Sequence, residues 1–192
     1  MKKILIGTHN KGKFKEISYL ISKKIKKVSP ISLKIKSPKE TGKTFVENAR
    51  LKANYFSKFT HLPVISDDSG LCIKSLNNKP GIYSARWAKK YGSFYQAMKN
   101  ILKNIKDKKD RSAFFICSLS FKDSKGKVTT VTGKINGSIS HKIVGDRGFG
   151  YDPIFIPRSK SSTFGQMAKL KKTKMDHRFI AFKKLKKKIN TL

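Results

Sequence analysis

Leu62-Pro63-Val64-Ile65-Ser66-Asp67-Asp68-Ser69-Gly70 joins a short apolar run to two adjacent carboxylates and a serine–glycine pair. An apolar run of that length, bounded by turn residues, reads as a buried strand from Leu62 to Ile65 whose end delivers side chains to a loop. In open α/β sheets, ligands gather at such strand ends. Two neighbouring carboxylates repel, so one of them requires a cation, a hydrogen-bond donor or a raised pKa. The chain has 11 acidic residues against 45 lysines and arginines. A pair kept in so depleted a background points to a divalent cation with hard oxygen ligands. An Asx turn capping the following element is the alternative.

Working outward, Lys3 to Thr8 reads as an apolar strand. It is followed by the polar loop His9-Asn10-Lys11-Gly12-Lys13 and a helical stripe through Phe14, Ile17, Leu20 and Ile21. Strand, glycine-containing loop and helix N-terminus together favour an anion, because unpaired amides and the helix dipole both point at it. The pattern is not a Walker A sequence. A second helix is expected over residues 44 to 59, with Thr44 as N-cap, Glu47 completing a capping box, and Phe45, Ala49, Ala53 and Phe56 inward. Leu71-Cys72-Ile73 reads as a short strand and Asn77 to Gly81 as a turn. Phe94, Met98, Ile101 and Ile105 mark a third helix. Ser112–Phe121 and Val128–Ile135 flank Asp123-Ser124-Lys125-Gly126 as a hairpin. Ile154-Phe155-Ile156 is a short strand. Residues 176 to 188 form a basic terminal helix with Phe182, Leu185 and Ile189 inward.

A chain of 192 residues with 38% apolar content and 13 phenylalanines suits one folded unit, residues 1–192 as a single domain. No apolar stretch approaches the roughly 18 to 20 residues of a membrane span, and the N-terminal run is too short for a signal-peptide core, so a cytoplasmic protein is expected. Cys72 and Cys117 lie far apart in apolar surroundings and read as buried thiols. The formal net charge of +34 is spread along the whole chain. It fits a polyanion partner or a general compositional bias toward lysine, and weak, salt-sensitive attraction to polyanions follows in either case.

Gly145-Asp146-Arg147-Gly148-Phe149-Gly150-Tyr151-Asp152-Pro153 sets three glycines around two aromatics. That setting suits a stacked base, or a tight loop with its aromatics packed inward. Near the C-terminus, Lys172 precedes Asp176-His177-Arg178, where His and Arg could donate to a carbonyl or phosphate, or form a solvated basic face.

Taken together, Thr8–Lys13, Glu40-Thr41-Gly42 with Thr44–Ala49 and Lys52-Ala53, Ser66–Leu71, Pro80–Arg86, Gly148–Pro153 and His177-Arg178 resemble one family. It is the noncanonical purine nucleoside triphosphate pyrophosphatases, also called inosine/xanthosine triphosphatases. The stretches fall in the family's order and cover the chain from end to end. The resemblance implies an α/β fold: an elongated mixed sheet flanked by helices, with two lobes around a central substrate cleft, in a homodimer. It implies Mg²⁺-dependent hydrolysis of inosine, deoxyinosine and xanthosine triphosphates to the monophosphate and pyrophosphate, with no specific nucleic acid and no membrane as partner.

By position, the resemblance implies that Thr8, His9, Asn10, Lys11, Gly12 and Lys13 hold the triphosphate. Glu40 and Asp68 would bind Mg²⁺, Asp68 being also the proton acceptor, and Ser69 would contact substrate. Phe149, Gly150, Tyr151, Asp152, Lys172, His177 and Arg178 would form the nucleoside pocket. The elementary chemistry agrees: a phosphoanhydride needs charge neutralisation, an oriented water and an acceptor for its proton. Lys13 and Lys52 would be point charges for the phosphates, and Asp67 would either orient Asp68 or complete the metal shell. The chain departs from the family at His9, where Gly is common, and at Asp176, where Ser is common. A pyrophosphatase for other modified nucleotides and a basic nucleic-acid-binding module are the alternatives.

Overall fold

In a computed structural model, residues 2–190 are described. The elements are β1 (Lys3–Ile6), α1 (Lys11–Leu20), β2 (Lys26–Val28), α2 (Phe45–Ser57), β3 (Val64–Ile73), β4 (Lys79–Pro80), α3 (Ser84–Lys90), α4 (Phe94–Asn104), β5 (Ser112–Lys122), β6 (Val128–Ile139), β7 (Phe155–Pro157), α5 (Lys169–Thr173) and α6 (His177–Asn190). The described strands form one mixed sheet in the order β2-β1-β3-β5-β6-β7, with β4 beside β3. The chain divides into two compact units. The first holds the chain through Asp68, Cys117–Gly133 and α6 from Arg178; the second holds Ser69–Ile116 and Lys134–His177.

In the first unit, β1 runs parallel to β2 and to β3, with Leu5 opposite Val64 and Ile6 opposite Ile65. Alternation along the strands separates two apolar layers. Ile4, Ile6 and Ile65 pack with Ile17 and Ile21 of the α1 side and Phe182, Leu185 and Ile189 of α6. Leu5 and Val64 pack instead with Phe56 of α2 and Ile35. Each fully buried Ile, Leu or Phe contributes about 1.5–3 kcal/mol. The sheet is thereby clamped between helices on both faces. In the second unit, Leu71, Ile73, Phe115, Ile139 and Phe155 from strands meet Ala97, Met98 and Ile101 of α4 and the loop residues Tyr151 and Phe164.

Several sequence expectations need correction. The run from Leu62 to Ile65 and the run from Leu71 to Ile73 are not two strands. They belong to one ten-residue strand, β3, and the Asp pair lies in its interior, not in a loop beyond its end. The acids interrupted the apolar pattern, but Asp67 and Asp68 are buried with cationic partners, so the ladder runs through them. β1 stops at Ile6 because the Thr8 amide turns back to the Ile6 carbonyl at 2.8 Å. Thr44 caps α2 by accepting from the Glu47 amide at 3.1 Å. Glu47 reaches past the cap to the Lys43 amide at 2.7 Å, so the box closes one residue early. Asn77 to Gly81 is more than a turn, since Lys79–Pro80 pairs antiparallel with β3. The short helix α3 went unread. The hairpin and the terminal helix stand as expected, and both cysteines are buried free thiols.

Candidate active site

The first unit concentrates its buried charge around the middle of β3. Alternation sends Asp67 toward α1 and α6 and Asp68 toward α2. On the first side, the Lys13 ammonium lies 3.1 Å from Asp67 Oδ2 and Arg178 Nε lies 3.6 Å from the same oxygen. Arg178 also donates through a terminal nitrogen to Glu16 Oε2. Burial disfavours the Asp67 carboxylate, but Lys13, Arg178 and Lys52 outweigh it and hold its pKa well below the usual range.

On the second side, Lys52 Nζ lies 3.7 Å from Asp68 Oδ1 and bonds Glu40 Oε1. Asn48 Nδ2 donates to the other Asp68 oxygen at 3.1 Å, while Asn48 Oδ1 takes the Gly42 amide at 2.8 Å. Asn48 therefore fixes both Asp68 and the segment leading from Glu40. Burial raises the Asp68 pKa, only partly offset by Lys52 and Lys13. Burial alone would lower that of Lys52, but Asp68, Asp67 and Glu40 raise it. Glu40 and Asp68 thus converge on one ammonium. Two carboxylates meeting at one point supply hard oxygen donors in the number that Mg²⁺ takes from a protein when phosphates and water complete its shell. The residues fit that ion. Among the described residues, no group of three or more His, Cys, Asp or Glu could hold a metal by itself.

The loop before α1 has a capped geometry that leaves amides pointing outward at a helix N-terminus. Asn10 is the N-cap, its side chain accepting from the Lys13 amide at 3.0 Å, and the Asn10 amide donates to Thr8 Oγ1 at 3.2 Å. The amides of Lys11 and Gly12 fall in the first helical turn, where a helix has no internal acceptors for them. His9 leaves this loop sideways: its Nε2–H donates to the Ile35 carbonyl at 2.9 Å, and its ring lies 6.1 Å from that of Phe56.

The second unit holds a small buried polar cluster beside its apolar core. Asp152 Oδ2 accepts from the Phe149 amide at 2.8 Å and from Lys172 Nζ at 2.7 Å. The Lys172 ammonium sits 4.9 Å above the Phe149 ring. Gly148 has φ +77°, and a Cβ there would strike Asp152 Oδ2 at 2.1 Å, so this loop requires glycine at that position. Tyr151 is buried, its hydroxyl donating to the Ser84 carbonyl at 2.9 Å. His177 is buried and stacks on Phe115, with centroids 4.9 Å apart and planes 11° from parallel.

The structure therefore gathers Thr8 to Lys13, Glu40, Lys52, Asp68 and Arg178 in the first unit. Ser69, Phe149, Gly150, Tyr151, Asp152, Lys172 and His177 fall in the second. Arg178 joins Glu16 and Asp67, so it parts from its chain neighbour His177. Sequence reasoning gave no role to Glu16 or Asn48. Glu16 was findable as one of few acids in a basic chain, three residues after Lys13 on the same helix face. Asn48, a buried polar residue inside an apolar stripe, was the signal for the other.

Comparison with known proteins adds an independent line. The sequence profile of the Ham1 family matches residues 4–188. The dITP/XTP pyrophosphatase of Dictyoglomus thermophilum is 42% identical over 95% of this chain and 92% of its own. That of Caulobacter vibrioides is 40% identical over 96% of both chains. A solved HAM1 protein from Coxiella burnetii superposes with a TM-score of 0.88 at 32% identity, covering 100% of each chain.

Proposed function

Because this chain belongs to the Ham1 family, we propose that it hydrolyses noncanonical purine nucleoside triphosphates to the monophosphate and pyrophosphate, the activity named for its relatives. The observation that carries the reading is the arrangement at Asp68: a buried carboxylate with a raised pKa, oriented by Asn48 and sharing Lys52 with Glu40. Glu40 and Asp68 would hold Mg²⁺. When bound, that ion supplies charge neutralisation on phosphate oxygens and an oriented water. Asp68 takes the proton from the attacking water, and its raised pKa makes it a stronger base than a solvated aspartate. Lys13, Lys52 and the first turn of α1 carry the triphosphate's negative charge. Asp67, held by Lys13 and Arg178, keeps its charge and aligns Lys13.

We assign the purine to the second unit's cluster around Phe149, where the family resemblance sets the nucleoside. Phe149 offers a face for stacking, and Lys172 and His177 are donors for the C6 carbonyl that hypoxanthine and xanthine carry. Adenine would set an amino donor against those donors, a mismatch worth up to about 10⁴-fold in favourable sites. Guanine would be turned away through its 2-amino group near Phe149. Homodimerisation and a cytoplasmic location belong to the same proposal. No described helix is long and apolar enough to cross a membrane.

The test is a panel of triphosphates with Mg²⁺, scored for pyrophosphate release. Inosine and xanthosine triphosphates are expected to give the highest specificity constants, far above ATP and GTP. Equal hydrolysis of ATP and inosine triphosphate would overturn the assignment of the purine pocket.

A further inference from the structure

From Ser69 to Lys106 the chain carries eight cations and no carboxylate. This stretch forms α3 and α4, which pack on each other in the second unit. Its two most exposed aromatics are Tyr83 and Tyr95, at 46% and 52%. Each bears a cation over its ring: the Arg86 guanidinium 4.9 Å from the Tyr83 centroid, and the Lys99 ammonium 4.9 Å from that of Tyr95. Tyr151 ties together the segments that carry the two tyrosines. Its hydroxyl bonds the carbonyl of Ser84, next to Tyr83, and its ring meets Phe94, next to Tyr95, edge to face at 5.2 Å.

We propose that this face binds single-stranded nucleic acid, without sequence preference. The chemistry needed is aromatic faces that accept any base, with cations spaced among them for the backbone phosphates. Tyr83 and Tyr95 supply the faces, and Arg86 and Lys99 supply charge beside each. Without a carboxylate anywhere in the stretch, an approaching phosphate backbone meets no repulsion from it. A second copy of the same face would bring cation against cation, so an anionic partner suits it better. A duplex hides its base faces and cannot use the tyrosines.

The experiment is fluorescence anisotropy with a labelled single-stranded oligothymidylate and the matching duplex, at fixed salt, using the full chain. Tyr83→Ala with Tyr95→Ala leaves the net charge unchanged and is expected to weaken single-strand binding at least about fivefold per tyrosine. The pair Tyr83→Phe and Tyr95→Phe is expected to retain it, because stacking needs the ring and not the hydroxyl. Pyrophosphate release from inosine triphosphate should be unchanged in both double variants, which separates this proposal from the catalytic one. Equal affinity of wild type and the alanine variant, or of single strand and duplex, would mean that charge alone binds, and would overturn it. Loss of an oligomer in the alanine variant, with no change in oligonucleotide affinity, would assign the face to a second copy and overturn it too.

Discussion

With Lys13 and Arg178 beside one and Lys52 and Asn48 beside the other, Asp67 and Asp68 respond to pH in opposite senses. The Asp67 pKa is depressed in the folded protein, so its stabilising contribution is present above the ordinary carboxylate pKa and lost as pH falls below it. The Asp68 pKa is raised, so the stability it lends below the ordinary carboxylate pKa is lost as pH rises through that raised value. In metal-free protein at neutral pH, Asp67→Asn is expected to destabilise by about 3–5 kcal/mol, as opening a buried ion pair does. Asp68→Asn is expected to leave stability equal or higher. Urea denaturation at neutral and acid pH checks both, and the Asp67→Asn deficit should shrink on acidification. The same Asp68→Asn protein should lose turnover by about 10²–10⁴-fold or more; a folded variant keeping a tenth of wild-type activity would contradict the assignment. At this scale the sequence was informative about which residues matter, because acids are scarce in it. It could not say which carboxylate anchors and which reacts, since that depends on partners on other elements, Lys13 and Arg178 for Asp67 and Lys52 and Asn48 for Asp68.

β3 shows what was hard to read at the level of elements. A strand is recognised by its apolar pattern, and four polar residues from Ser66 to Ser69 erased that pattern in mid-strand. Partners across space, Lys13 from α1, Lys52 and Asn48 from α2 and Arg178 from α6, make a charged strand interior stable. Local chemistry was legible where it is self-contained: the Thr44 cap and the turn at Asp123 to Gly126 each depend on a few adjacent residues. Gly70, inside the same strand, has a role no pattern announced. A Cβ there would stand 2.2 Å from the Gly81 carbonyl and 2.5 Å from Ser84 Oγ, the hydroxyl that accepts the Leu71 amide. Gly70→Ala is expected to cost about 1–3 kcal/mol by forcing these apart. A lower urea midpoint with an unchanged slope would confirm it, and an unchanged midpoint would refute it. Thr44→Ala should cost about 1 kcal/mol through the lost cap.

For the molecule as a whole, the formal charge of +34 is a standing repulsion. The Debye length falls from about 30 Å at 0.01 M salt to about 8 Å at 0.15 M. Added monovalent salt is therefore expected to raise the melting temperature, and a fall would show that surface pairing outweighs repulsion. Chelation of Mg²⁺ is expected to abolish pyrophosphate release while leaving the circular dichroism of the fold unchanged, since the cores of both units are apolar. The interior location of the acids has a further consequence. Glu16, Asp67, Asp68, Asp152 and Asp176 are all buried, out of 11 acids in the chain. With so few carboxylates at the surface, acidification adds little to the existing repulsion. The protons taken up as the fold gives way must then go to interior carboxylates whose pKa the fold depresses, Asp67 first, and the steepness of stability against pH counts them. Acid unfolding of this protein is thus in part a titration of its own candidate site: discharging Asp67, which holds Lys13 and Arg178, loosens the chain, while Asp68, already inclined to keep its proton, opposes that release.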